Sequence, residues 1–180
     1  MIKNKKDRFS STVEQKILDF LCKNPHESFY GAEIALRTLL SKGGTNQALR
    51  KMAGDGLLKT EKKGRMIFYS VDPKSAVVKQ FKILKNVTFL EPLLNPLKEL
   101  ALTIVLFGSR AAGEDSPDSD IDIFIVSREA EKIKSILLKG VLKDKIQLIV
   151  KTPQEYAGFE KKEPVLYAEI TKGIVLWEKV

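Results

Sequence analysis

The chain has 180 residues, 43% hydrophobic and 30% charged, which is enough apolar material for a packed core and excludes a disordered chain. A single cysteine, Cys22, and a single histidine, His26, exclude an internal disulfide and multi-His or Cys-only zinc sites, and argue against a Ser-His-Asp triad. The net charge of +8 is uneven: residues 1–74 hold fifteen Lys/Arg against eight Asp/Glu, and the remaining 106 residues hold sixteen against fifteen. A basic first part joined to a near-neutral second part predicts two domains with different partners, and excess cations attract polyanions through counterion release. A lysine-rich solvated surface is the plainer account of the same charge. The opening residues lack the apolar stretch of a signal peptide, and the run around Ile104 to Phe107 is too short to cross a bilayer. The expectation is a soluble, cytoplasmic chain with no membrane partner.

Ser11 or Thr12 can cap a first helix whose apolar residues Val13, Ile17, Phe20 and Leu21 recur at helical spacing and which stops at Asn24-Pro25. A short second helix is predicted from near Tyr30, with Ile34, Ala35 and Leu39 turned inward. Gly43-Gly44 reads as a turn, and Thr45 as the cap of a third helix running to Asp55. That helix carries Ala48, Leu49 and Met52 on one side and Asn46, Gln47, Arg50 and Lys51 largely on others. Leu57 to Glu61 and Met66 to Val71 read as strands, joined by a basic hairpin tip of Lys62, Lys63, Gly64 and Arg65. Cys22 and His26 read as structural and solvated residues respectively.

Three short helices and a basic hairpin resemble a winged helix-turn-helix domain over residues 9–73. The resemblance implies DNA binding. Its third helix would present Thr45, Asn46, Gln47, Arg50 and Lys51 to the major groove, while Lys62, Lys63 and Arg65 would position phosphates. Some domains of this shape serve protein contacts instead, and that alternative stays open. Residues 74–99 read as a helical connector: an amphipathic helix from Ser75 to Asn86, then a shorter helix or kinked pair around Pro92 and Pro96. Its apolar stripe is compatible with a homodimer.

The second part holds the informative motif. A buried strand over residues 102–107 runs into Gly108-Ser109, with a helix opening near Arg110. Glycine permits close backbone approach, and the helix start and Ser109 hydroxyl offer donors to an anion. After a polar loop, in which Asp115 and Asp118 read as turn residues, a second strand carries Asp120 and Asp122. Period-two alternation puts both on one face and Ile121, Ile123 and Ile125 on the other. Two carboxylates beside a phosphate site call for a hard cation between them, and Mg²⁺ fits that chemistry.

The string from Gly108 to Asp122 resembles the Gly-Ser … Asp-x-Asp signature of the DNA polymerase β-type nucleotidyltransferase superfamily, especially its minimal members, over about residues 100–180. The resemblance implies an α/β fold with a mixed sheet and transfer of a nucleoside monophosphate from an NTP to an acceptor hydroxyl. Gly108, Ser109 and Arg110 would bind the nucleotide, while Asp120 and Asp122 would be catalytic and hold one or two Mg²⁺ ions. The acceptor, whether protein, RNA or small molecule, is unspecified, and a small protein partner is compatible with the family. A third carboxylate is expected on the next strand, Lys145 to Val150, where parity places Gln147 instead. Asp144 has the wrong parity, and Glu155 reads as a capping-box partner of Thr152. Helices are also predicted over 128–139, ending at Gly140, and over 164–172, before a closing strand from Ile174 to Glu178. Trp177 and Tyr167 read as core or edge aromatics. Three functions follow: an active nucleotidyltransferase with a DNA-binding domain, a DNA-binding regulator that binds nucleotide without turnover, or a protein-interaction scaffold.

Overall fold

The computed structural model describes residues 12–137 and 145–179. The chain divides into two compact units, Met1–Phe81 and Lys82–Val180. Among the described residues no helix is long and apolar enough to cross a membrane.

In the first unit, α1 (Val13–Lys23) opens on a full capping box, Thr12 accepting from the Gln15 N–H and Gln15 reaching back to the Thr12 N–H. A two-residue strand, β1 (Phe29–Tyr30), precedes α2 (Gly31–Thr38). Ile34 and Ala35 point inward as expected, but Leu39 does not. It ends α2 in the left-handed region, at φ 56°, and is 91% exposed, while Leu40 takes the place against the core. Helix α3 (Lys42–Gly54) starts four residues earlier than expected, its cap lying at Ser41 and not at Thr45. Ser41 caps it by accepting from the Gly44 N–H, so Gly43-Gly44 forms the first turn. Strands β2 (Lys59–Lys63) and β3 (Met66–Ser70) form a hairpin about Gly64, and β1 adds to β3 to give the antiparallel order β1-β3-β2. Ile17, Leu21, Ile34, Leu49 and Met52 centre the core, and Cys22 is buried among them.

Helix α4 (Ala76–Leu94) runs unbroken through Pro92, where two shorter helices were expected. A proline inside a helix costs about 3 kcal/mol. Here Leu90 and Leu94 are almost fully buried on either side of it, and burial of two leucines, about 1.5–3 kcal/mol each, outweighs that cost. A single 3₁₀ turn (Asn95–Leu97) leads into β4 (Ala101–Phe107), α5 (Gly108–Ala112) and β5 (Ile121–Ser127). Then follow α6 (Ala130–Leu137), β6 (Ile146–Lys151), α7 (Pro153–Ala157), α8 (Phe159–Lys162), α9 (Pro164–Thr171) and β7 (Ile174–Glu178). The predicted stop of α6 at Gly140 lies outside the described residues.

The four strands make a mixed sheet in the order β6-β5-β4-β7, with β4 antiparallel to both neighbours and β5 parallel to β6. Both faces are covered. Ile121, Ile123 and Ile125 pack with Leu90, Leu94, Leu97 and Ile133 on one side. Phe124 and Val126 pack with Phe159 and Ile170 on the other, where Phe124 and Phe159 stack at 5.6 Å. Strand β5 is therefore central and rigid, which matters for the side chains at its open end.

Candidate functional site

Asp122 lies in β5, opposite Phe107 of β4 and beside Gln147 of β6. Strand alternation puts it on the face of Phe124 and Val126, at the point where that face stops being apolar. Asp120 sits just before the ladder, on the same side. Gln147 Nε2 donates to Asp120 Oδ2 at 3.0 Å, so all three polar groups gather on one face. Gln147 thus occupies the register position beside the acids, where strand parity places it.

Gly108 closes the site. Its φ of +66° is one that only glycine adopts without strain, and a Cβ there would stand 2.2 Å from Asp122 Oδ2. The bend after β4 and the Asp122 carboxylate are therefore in direct contact. The Asp122 carboxyl is pushed above the ordinary aspartate range, first by burial, then by the negative charges of Asp120 and Glu169, with Arg110 opposing. A cation between Asp120 and Asp122 would relieve that repulsion. Helix α5 has only five residues, so an anion beside it would be held by individual N–H groups and the Ser109 hydroxyl rather than by a macrodipole. Among the described residues no three His, Cys, Asp or Glu side chains come together in a metal-holding group. Two carboxylates are too few to enclose an ion, and a divalent cation held by them would need phosphate or water oxygens to complete its shell. Asp144 lies outside the described residues. Glu155 forms the expected capping box with Thr152, whose N–H and hydroxyl hold the Glu155 carboxyl below its usual range.

Arg110, which the resemblance names as nucleotide-binding, has protein partners in the structure. Its side chain is 14% exposed and turned into the loop before β5. Nε donates to the Asp120 carbonyl at 2.9 Å, Nη2 to the Ser119 carbonyl at 2.7 Å and Nη1 to Asn86 Oδ1 at 3.1 Å. Three of its five N–H donors thus go to protein oxygens, which tie α5 to the loop before β5 and to α4. Asp115, read from sequence as a turn residue, is the anion of this cluster, facing Arg110 at 3.6 Å and Lys82 at 3.5 Å. Asn86 and Lys82 escaped the sequence reading. The one signal for them is two polar residues spaced i, i+4 on a helix rich in apolar side chains.

On the first unit, Gln47, Arg50, Lys51, Lys62, Lys63 and Arg65 are exposed, as DNA contact would require. Thr45 is not: it is fully buried on the core side of α3, because the helix starts at Lys42 and carries it inward. Asn46 is exposed, yet its Oδ1 leans over Gly31, where a Cβ would stand 2.4 Å from it. Lys63 pairs with Glu61 at 3.0 Å and lies 5.0 Å above the Phe68 ring. Tyr167 belongs to the aromatic cluster with Tyr156 and Phe159, and Trp177 packs at the sheet edge under Lys98.

The family model described as Polymerase beta, Nucleotidyltransferase matches residues 92–180, the stretch that contains Gly108, Ser109, Asp120, Asp122 and Gln147. Residues 92–180 are thus similar to this nucleotidyltransferase family. No curated protein matches the chain. A crystal structure described as "a putative nucleotidyltransferase from Sulfolobus solfataricus" is similar at 14% identity, covering 59% of this chain and 92% of that one with a TM-score of 0.39. The matched stretch begins inside α4 and includes β7.

Proposed function

We propose that the second unit binds a nucleoside triphosphate with Mg²⁺ and transfers its nucleoside monophosphate to a protein, RNA or small-molecule acceptor, and that the basic first unit binds DNA as a winged helix. The observation that carries the first half is the contact between Gly108 and the Asp122 carboxylate, which aims the bend and the acid at one place. Asp120 and Asp122 would hold the ion, and Gly108 and Ser109 would take the triphosphate. The acceptor oxygen would bond to the α-phosphorus as the bond to the leaving pyrophosphate breaks, and the hydroxyl proton would pass to solvent water. A bound Mg²⁺ would supply charge neutralisation for the phosphates. Gln147 is a neutral amide and cannot take that proton, so it adds no anionic charge beside Asp120 and Asp122.

Gln147 also supports a second reading. An amide beside the acids, already hydrogen-bonded to Asp120, suits a domain that binds nucleotide without turnover and reports it to the DNA-binding unit. Incubation of the chain with α-labelled NTP and Mg²⁺, in the presence of cell extract as an acceptor source, separates the two. Label moved to an acceptor, and lost in the Asp120→Asn/Asp122→Asn variant, supports transfer. Binding of MgATP that depends on the same aspartates, with no label moved, supports the second reading. Binding that survives the double substitution sinks both. For the first unit, exposed Arg50 and Gln47 on α3 and the cationic hairpin tip support DNA contact. Arg50→Ala is expected to change sequence preference in a binding-site selection, and an unchanged preference would remove the groove assignment.

A further inference from the structure

Asp122 is fixed by the sheet: it is paired on both sides, by Phe107 and Gln147. Asp120 is not, because β5 begins one residue later, at Ile121. What fixes the Asp120 backbone is the guanidinium of Arg110, through the two adjacent carbonyls of Ser119 and Asp120. Arg110 is held in turn from α4. Asn86, 8% exposed, accepts from Arg110 Nη1 and donates through Nδ2 to the Arg110 carbonyl and to Asp115 Oδ1, each at 3.1 Å. Lys82, one helical turn earlier, donates to the Asp115 carbonyl and pairs with its carboxylate. Asp115, at 12% exposure, thereby neutralises two nearly buried cations.

We propose that Asn86, with Lys82 and Asp115, is a positioning element that sets Asp120 for metal binding by locking Arg110 across the Ser119 and Asp120 carbonyls. The proposal rests on the assignment of Asp120 and Asp122 as metal ligands. It adds residues 82 and 86, which precede the stretch matched by the family. The asymmetry gives it physical content. A ladder residue tolerates loss of a distant hydrogen bond, whereas a residue outside the ladder moves when its strut goes. Arg110 offers a rigid fork of donors that lysine cannot reproduce, so Arg110→Lys keeps the charge and loses the lock.

The test uses the full-length chain and Mn²⁺ alone, without nucleotide, followed by electron paramagnetic resonance. Asp120→Asn/Asp122→Asn is expected to abolish binding; equal binding by that variant and the wild type overturns the metal assignment and this proposal together. Asn86→Ala and Arg110→Lys are each expected to weaken Mn²⁺ binding by about tenfold or more, the scale seen when groups behind metal ligands are removed. The double variant should be no worse than the weaker-binding single, because both remove one lock. If Arg110→Lys leaves Mn²⁺ binding unchanged and weakens only Mn²⁺·ATP, Arg110 is a phosphate ligand and the proposal fails. Hydrogen exchange supplies a readout free of metal. Faster exchange confined to peptides over residues 115–121, with 123–126 still protected, supports a local lock. Faster exchange throughout the sheet in both variants would show a general loss of stability and overturn it.

Discussion

The cations of the hairpin and the carboxylates of the sheet make opposite demands on the fold. Lys62, Lys63 and Arg65 need only to be exposed, since phosphate attraction is long-ranged and tolerant of geometry. Asp120 and Asp122 would have to be held to within about half an ångström in order to share one ion. One region spends no buried polar group on its charges. The other surrounds its acids with a nearly buried cluster of Lys82, Asn86, Arg110 and Asp115 and with a glycine that admits no side chain. The difference predicts how each region responds to substitution.

The largest effect is expected where the acid site is most deeply built in. Asp115→Ala leaves Lys82 and Arg110 nearly buried without their anion, and breaking such a pair from one side costs about 3–5 kcal/mol. Denaturant unfolding of the full chain measures this, and a loss below about 1 kcal/mol, the range of surface ion pairs, would show the cluster to be an ordinary solvated one. Gly108→Ala comes next. Alanine at a φ of +66° costs about 1–2 kcal/mol, and its Cβ evicts the Asp122 carboxylate. Nucleotide binding by calorimetry should therefore fall more than stability does, and preserved binding would separate the bend from the acid.

Much of the acid site was legible because it depends on strand parity. Asp120, Asp122 and Gln147 share a face for the same reason that Ile121, Ile123 and Ile125 share the other. The capping box of Thr152 and Glu155 was legible because its parts are three residues apart. What escaped depends on long-range partners or on competition between local signals. Arg110 meets Asn86 across 24 residues, and nothing local to either announces the other. Gly43-Gly44 reads as a turn on helix propensity, yet Ser41 caps at that point and the buried row Thr45, Ala48, Leu49 and Met52 rewards an earlier start. Leu39 misled for a related reason: its spacing suits the core, but the helix ends on it and Leu40 fills the place.

A smaller effect tests the electrostatics of the acid pair without metal. Burial and Asp120 raise the Asp122 carboxyl above its ordinary value, so the folded state holds its proton to higher pH than the unfolded state does. The unfolded chain then binds fewer protons between the two values, and stability falls as pH rises through that window. The metal-free wild type should therefore gain stability as the pH is lowered from above the raised value toward 3.8, the ordinary one. Asp122→Asn should lack this gain and be more stable than the wild type at neutral pH. Parallel pH profiles for the two proteins would place the repulsion elsewhere.

Lys63→Ala is expected to do the least to the fold, and its value lies in that contrast. Lys63 is paired with Glu61 and lies over the Phe68 ring, but these groups sit at an exposed hairpin where such contacts are worth about 0.5 kcal/mol or less. Stability should therefore change within that margin. If the unit binds DNA, affinity should weaken for all sequences alike, and the slope of log affinity against log salt should drop by about 1, one phosphate contact fewer. The neighbouring Glu61 sharpens this expectation: it lies within 3.0 Å of the same ammonium, so Glu61→Ala should free Lys63 and raise affinity while leaving sequence preference alone. A Lys63→Ala change that destabilises the hairpin without touching the salt slope would mean that this cation serves the fold, and the two regions would then differ less than their geometry indicates.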